Sequence, residues 1–308
     1  FISTKKYGFQ TFISTLDKDI LSEKESSNFN PKIMFKNINT ESDLIENFNE
    51  FAPITQSFNI TKVQQNEIYS IDDNVITEFP LKLFINGTLY SLIMMSPTDI
   101  EVMIIGYLHS HLLISKMSDI THLNIDLKAK RCDVKIDSLK KDISDKRIDI
   151  ISSACTRTIP DIKDDDLPIV ANNHVFDLKS IQKNVGMFNK ESILFKETGG
   201  VHSVSFIYDN KDILFEDIGR HNAVDKVCGY ILKNKITTLD KYIITSGRIS
   251  SDILLKAAFI GIPLIVSRSA PTALTIKLAK KLNICVIGFA RGNKVNIYSN
   301  IEKIKMTF

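Results

Sequence analysis

The chain has 308 residues, 44% of them hydrophobic and 24% charged, and a formal net charge of +3 at pH 7. This composition is typical of a globular protein with one large or two ordinary domains. The net charge is too small to indicate a nucleic-acid partner, and no apolar run reaches the roughly 18 residues that a membrane helix needs. The four cysteines form no Cys-x-x-Cys pair, which argues against a disulfide framework or a zinc ribbon and favours a reducing compartment such as the cytoplasm.

Polar residues dominate the first part of the chain, and we expect residues 1–55 to be a poorly defined N-terminal extension. Residues 56–165 then predict a smaller α+β domain. Its first signal is a hairpin at Asn86-Gly87, a dipeptide that tolerates positive φ at both turn positions. An apolar pattern with helical spacing follows and predicts a helix from Ile100 to Leu113.

Two histidines near the end of this helix, His109 and His111, are two positions apart. On a helix this spacing points the side chains in different directions, whereas metal ligands on one helix are three or four positions apart. We therefore interpret both histidines as packing or surface residues, and we expect no metal site.

A cysteine follows the last predicted strands of this domain. These strands run from Leu123 to Ile136 and from Arg147 to Ser152, and Cys155 then enters a polar loop. Arg157 lies two residues further on, and a neighbouring cation lowers the pKa of a thiol and enriches the reactive thiolate. We therefore predict that Cys155 does sulfur chemistry. The other three cysteines lie within apolar patterns and are expected to be buried, inert thiols.

The stretch from Glu216 to Lys226 is a charged turn between a short apolar run and a predicted helix. It places Arg220 and His221 at the helix N-terminus, where free N–H groups offer a site to an anion. A solvated helix start is the alternative interpretation. Upstream, Gly199-Gly200 permits a close backbone approach, and His202 follows at the start of a strand or helix. Both histidines are candidates for moving protons.

Strands and helices alternate in the last third, which predicts an α/β domain over residues 166–308 with a parallel strand-helix-strand part. The ends of parallel strands share one edge of a sheet, and each predicted strand ends in a basic loop. We therefore predict that Arg248, Arg268 and Arg291 converge beside helix N-termini. Three guanidinium groups favour a ligand with several phosphates or similar oxyanions, whereas three unrelated loop arginines are the alternative.

Several motifs together resemble the FdhD-type formate dehydrogenase accessory sulfurtransferases over about residues 75–300. The first motifs are Glu78–Leu81, Asn86-Gly87, Ser96-Pro97 and Thr198–His202. The more specific ones are Glu216–Lys226, Ser246–Ser250, Ser267–Thr272 and Gly288–Gly292. Because several motifs occur in the same order as in the family, together they indicate the family far more strongly than any single motif does.

Proteins of this family take sulfur as a persulfide from a cysteine desulfurase. They pass it to the molybdenum bis(molybdopterin guanine dinucleotide) cofactor destined for formate dehydrogenase. The resemblance implies that Cys155 carries the persulfide and that the loop Phe289–Lys294 contacts the guanine nucleotide of the cofactor. The predicted cofactor site thus comprises Phe289, Ala290, Arg291, Gly292, Asn293, Lys294, Arg248, Arg268, Arg220, His221 and His202. The resemblance also implies a cytidine-deaminase-like larger domain, a homodimer, and the catalytic subunit of formate dehydrogenase as a partner.

The loop at Cys155 differs from the family pattern. The family loop commonly reads Cys-Gly-x-Cys-Gly, whereas Cys155-Thr-Arg-Thr158 lacks a second thiol that could relay the persulfide. A chaperone that binds the cofactor without covalent sulfur is therefore the alternative function. A deaminase-like hydrolase is disfavoured, because neither His-x-Glu nor Pro-Cys-x-x-Cys occurs in the sequence.

Overall fold

The fold is that of a computed structural model, which describes residues 53–137, 139, 149–151, 167–209 and 211–306. Cys155 and Arg157 lie outside the described residues, as do residues 1–52. Helices α1–α6 and strands β1–β15 are numbered below in chain order. The first two strands, β1 (Thr55–Gln64) and β2 (Glu67–Ile76), form an antiparallel ribbon whose side chains are mostly exposed.

A five-stranded sheet with the order β5-β6-β3-β4-β7 follows the ribbon. Its strands are β3 (Phe79–Ile85), β4 (Thr88–Met95), β5 (Ile120–Asp126), β6 (Arg131–Ile136) and β7 (Asp149–Ile151). The predicted hairpin is confirmed: β3 and β4 are antiparallel, and Asn86 and Gly87 between them have φ values of 49° and 83°. Helix α1 (Ile100–Ser110) ends three residues earlier than predicted.

The prediction of one strand from Leu123 to Ile136 is wrong. The chain reverses there between β5 and β6, which pair in antiparallel fashion. The Lys130 N–H donates to the Leu127 carbonyl at 3.3 Å, and Lys130 has a φ of 48°. The alternation of apolar residues continues in both strands, and this continuity conceals the turn.

The last third forms a six-stranded sheet with the order β10-β9-β11-β12-β13-β14. Strands β11 (Tyr242–Thr245), β12 (Leu264–Ser267) and β13 (Cys285–Arg291) are parallel, as predicted. Strands β9 (His202–Tyr208), β10 (Lys211–Asp217) and β14 (Lys294–Ser299) are antiparallel to their neighbours. A short parallel pair joins β8 (Phe176–Asp177) to β15 (Ile304–Lys305).

Helices cover both faces of this sheet and bury two apolar cores. On one face lie α4 (Arg220–Lys233), α5 (Ser251–Phe259) and α6 (Ala273–Lys281), whose apolar residues pack on Phe206, Ile243 and Ile265. On the other face α2 (Leu178–Glu191) packs Val185 and Phe188 against strands β11–β13, and the short α3 (Ile193–Thr198) follows it. Helix α4 is also covered by α1, so it lies between the two sheets.

Two expectations about the architecture stay predictions. The domain boundary at residues 165–166 falls outside the described residues, and the likeness to the cytidine deaminase fold is untested. Over the described ranges, no helix is both long and apolar enough to cross a membrane.

Candidate functional site

Three loops lie side by side at the carboxyl ends of β11, β12 and β13. They are Ser246–Ser250, Ser267–Thr272 and Gly288–Asn293, and we call them together the arginine edge. The Ser267 hydroxyl donates to the Gly247 carbonyl at 2.7 Å, which joins the first loop to the second. The Phe289 N–H donates to the Ser269 carbonyl at 3.1 Å, which joins the second to the third. The three loops therefore meet at one edge of the sheet, and the binding of one ligand by their three arginines stays a prediction.

Each loop of the arginine edge supplies one arginine. Arg248 and Arg291 are exposed, and Arg268 is half-buried. Arg291 Nη2 lies 3.5 Å from the Arg268 carbonyl oxygen, which brings the last two loops together. In the part of the chain that the structure describes, no carboxylate forms an ion pair with any of the three. Their guanidinium groups are consequently available to an oxyanion ligand.

The hairpin between β13 and β14 presents an aromatic ring beside these arginines. Phe289 has a φ of 50°, and 43% of it is exposed. Ala290 is buried, and the register of β13 against β14 shifts between Gly288 and Arg291, which marks a bulge. Gly292 also has a positive φ, of 55°, and the Asn293 carbonyl accepts a hydrogen bond from Gln182 of α2 at 3.0 Å. The hairpin is therefore held from both sides, by Ser269 and by α2.

The start of α4 adjoins the first loop of the arginine edge. A methyl group on Gly247 would lie 3.4 Å from Arg220 Cβ and 3.5 Å from His202 Nδ1. His202 begins β9 as predicted, opposite Asp217 at the end of β10. The structure thus brings Arg220 and His202, which are 18 positions apart in the sequence, against the same glycine.

Burial favours the neutral form of both histidines at this place, because it lowers the pKa of each ring. Burial lowers the pKa of His221 to about 3, helped by the positive charges of Lys256, Arg220 and His202. Burial and then Arg220 lower the pKa of His202. His221 Nε2 lies 3.5 Å from the Ser250 hydroxyl oxygen and 4.0 Å from Asp252 Oδ2. These rings can exchange hydrogen bonds with a ligand, while the positive charge of the site comes from the arginines.

Three other charged residues of the Glu216–Lys226 motif lie in the protein interior rather than beside the arginine edge. Asp217, Asp225 and Lys226 are almost completely buried, so neither an anion site nor a solvated surface describes them. Asp217 pairs with Lys226 at 2.9 Å, and Asp225 pairs with Lys256. The sequence interpretation of these residues is wrong because α4 is covered on all sides. Its small residues Gly229 and Cys228 were a signal of that covering.

Three of the four cysteines are unsuited to sulfur transfer. Cys132, Cys228 and Cys285 are fully buried, as predicted. Burial raises the thiol pKa of Cys132 and of Cys285 to about 12, and it raises that of Cys228 as well. None of them forms a useful thiolate at neutral pH. Cys155 is the one cysteine that these observations leave as a carrier.

The fold and the site define an α/β protein with an arginine-lined sheet edge. The model of the FdhD/NarQ family matches residues 76–305, and the chain belongs to this family. A sulfur carrier protein FdhD of Staphylococcus haemolyticus is 38% identical over 82% of this chain and 98% of its own length. One from Bacillus licheniformis is 36% identical over the same shares.

A solved structure has the same fold. It is that of a formate dehydrogenase accessory protein from Desulfotalea psychrophila, which is 25% identical and matches with a TM-score of 0.67. The match covers 82% of this chain and all of that chain. The family predicted from the sequence motifs is therefore confirmed.

Proposed function

We propose that the chain is a sulfur carrier in the maturation of formate dehydrogenase. In this role it accepts sulfur from a cysteine desulfurase and passes it to the molybdenum bis(molybdopterin guanine dinucleotide) cofactor, which is its substrate. The names of its relatives support the sulfur carrier part of the proposal. The observation that carries the cofactor part is the arginine edge, where three loops hold three arginines without acidic partners among the described residues.

The chemistry of the arginine edge fits the nucleotide part of this cofactor. Each guanine dinucleotide contains a pyrophosphate, and arginines bind phosphate oxygens with charge-assisted hydrogen bonds. Arg248, Arg268 and Arg291 would bind these oxygens. The exposed ring of Phe289 offers a stacking surface for a base. Lys294, at the start of β14, adds a further exposed cation.

In the proposed sulfur step, the Cys155 thiolate attacks the outer sulfur of the desulfurase persulfide. A new S–S bond forms on Cys155, the donor's S–S bond breaks, and the donor cysteine leaves as a thiolate, so no electrons are gained or lost overall. Release of the outer sulfur as sulfide takes two electrons. A free thiol supplies them by attacking Cys155 Sγ, which leaves a mixed disulfide on Cys155. An external thiol is needed because the loop holds no second cysteine.

β7 is the last described strand before Cys155, and it ends beside the end of β4. β7 pairs in parallel with β4, so both strands end at the same edge of the five-stranded sheet. Ser96, directly after β4, receives a hydrogen bond from the Ile218 N–H at 3.1 Å. Cys155 lies four positions after Ile151, and four residue steps span at most about 14 Å.

The alternative, a chaperone that only binds the cofactor, makes a different prediction for Cys155. Intact mass is measured after incubation with a cysteine desulfurase and cysteine, for the wild type and for Cys155→Ala. A gain of one sulfur that requires Cys155 supports the carrier. No gain in protein that still binds GDP supports the chaperone.

The cofactor part is tested by calorimetry with GDP, which carries the guanine and a diphosphate. We expect Arg248→Ala, Arg268→Ala and Arg291→Ala each to weaken binding by about 10-fold or more, the value of a charge-assisted hydrogen bond. Lys280→Ala is the control, because it removes an exposed cation from the opposite end of α6. Equal effects of Lys280→Ala and the arginine variants would overturn the assignment.

A further inference from the structure

Asp217 is the most heavily bonded carboxylate at the turn before α4. It is fully buried and accepts hydrogen bonds from the N–H groups of Ser96 at 3.1 Å and Gly219 at 3.0 Å. The Asn222 amide and the Lys226 ammonium each lie 2.9 Å from its oxygens. Four donors on one carboxylate satisfy its lone-pair directions and fix its orientation.

The same group of residues connects this turn to the end of β4. The Ser96 hydroxyl accepts from the Ile218 N–H, and the Asn222 amide also donates to the Met94 carbonyl at 2.9 Å. Lys226 Nζ donates to the Thr98 hydroxyl at 3.0 Å and to the Glu216 carbonyl at 2.8 Å. Both backbone N–H groups of the turn are therefore hydrogen-bonded: that of Ile218 donates to Ser96, and that of Gly219 donates to Asp217.

Gly219 packs closely against one of the side chains that bind Asp217. A methyl group on Gly219 would lie 2.9 Å from Asn222 Nδ2, so this glycine packs directly against the amide that binds Asp217. Arg220 and His221 follow immediately, as the first two residues of α4. Because the backbone of Arg220 continues directly from the turn, the conformation of the turn helps to set where the Arg220 side chain begins.

We propose that Asp217 is a positioning residue for Arg220, which lies beside the arginine edge. With Ser96 and Lys226 it fixes the Ile218-Gly219 turn, so that Arg220 reaches the phosphate groups of a bound guanine nucleotide. Asp217 itself touches no ligand. This inference rests on the proposed function, in which Arg220 is one of the cofactor-binding residues, and it assigns a role to Ser96 and Asp217, which the sequence motifs alone left without one.

A double-mutant cycle separates positioning from simple stability. GDP affinity is measured for the wild type, Asp217→Asn, Arg220→Ala and the double variant, at a temperature where all four are folded. We expect Arg220→Ala and Asp217→Asn each to weaken binding by about 10-fold or more, and the double variant to be within about twofold of Arg220→Ala. If Asp217→Asn weakens GDP binding by the same factor in the Arg220→Ala variant as in the wild type, the positioning role is overturned.

Two further variants keep the test decisive. If Asp217→Asn does not fold, Ser96→Ala removes only the hydroxyl that binds the Ile218 N–H, and it must show the same dependence on Arg220. Leu83→Ala, in the core of the five-stranded sheet, lowers stability without contacting the turn and should leave GDP affinity unchanged. A wild type that does not bind GDP would overturn the proposed function itself. Normal binding by Arg220→Ala would overturn only the role of Arg220 and, with it, that of Asp217.

Discussion

Gly106 of α1 and Gly229 of α4 lie in direct backbone contact. A methyl group on Gly106 would lie 2.8 Å from Gly229 N, and a methyl group on Gly229 would lie 2.7 Å from Gly106 N. Real side chains essentially never approach so closely, so both positions need glycine for steric reasons. This contact allows the helix of the five-stranded sheet to pack against the helix that carries Arg220 and His221.

We predict that Gly106→Ala lowers the free energy of unfolding by about 3 kcal/mol or more, because the added methyl must push two helix backbones apart. Chemical denaturation measures this change. Gly186→Ala in α2 is the matched control: nothing lies within 4 Å of its methyl group, so it should raise stability by about 0.5–1 kcal/mol. A loss at Gly106 no larger than that of an ordinary surface substitution would contradict the contact.

For the buried pair of Asp225 and Lys256, we predict that replacing one partner destabilises the protein more than replacing both. Among the described residues, Lys256→Met leaves the buried Asp225 carboxylate with the Ser110 hydroxyl, at 2.7 Å, as its remaining side-chain partner, and it should cost about 3–5 kcal/mol. Replacing both residues, as Asp225→Leu with Lys256→Met, should cost less than Lys256→Met alone. Thermal or denaturant unfolding checks both values. A double variant less stable than the single one would show that the pair itself contributes net stability.

The low pKa of His221 predicts a loss of stability as the solution becomes acidic. Its folded pKa, about 3, lies below its ordinary value of 6.5, so protons bind more readily to the unfolded chain. The stability is complete above pH 6.5 and is lost towards about pH 3, by about 1 kcal/mol per pH unit for this one group. The NMR shifts of the His221 ring should stay those of neutral imidazole at pH 5.

The control for this prediction is His221→Gln, which removes the titrating group. Between pH 6.5 and pH 5, where most carboxylates are still ionised, this variant should lose less stability than the wild type. The remaining slope comes in part from His202 and His109, whose pKa values are also lowered by burial. An unchanged slope would show that folding does not lower the pKa of His221.

We predict that Cys155 is the reactive cysteine of the native protein and that the other three cysteines do not react. Cys132, Cys228 and Cys285 are buried with raised thiol pKa values, so at most one thiol should react with iodoacetamide in the native protein at pH 7.5. All four should react after denaturation. Intact-mass spectrometry counts the modified groups, and Cys155→Ser should leave none in the native state. Two or more native modifications would contradict the burial of the other three.

Local sequence signals were sufficient for much of the fold. Asn86-Gly87 predicted its hairpin because few dipeptides tolerate positive φ at both positions. The alternation of apolar runs and helical patterns after Tyr242 predicted the parallel strands, and with them the edge at which the three arginine loops meet. Predictions based on one continuous pattern were weaker: the turn at Leu127–Lys130 interrupts the alternation for only four residues and was missed.

The sequence by itself determined the family, the arginine loops and the buried state of three cysteines, because spacing and apolar context are local properties. Only the tertiary structure decided which charges of the Glu216–Lys226 motif face the ligand and which are buried. Arg220 and His221 lie beside the arginine edge, whereas Asp217, Asp225 and Lys226 are buried in ion pairs. The partners that bury them come from α1, α5 and the end of β4, up to 128 positions away, and no local pattern records such contacts.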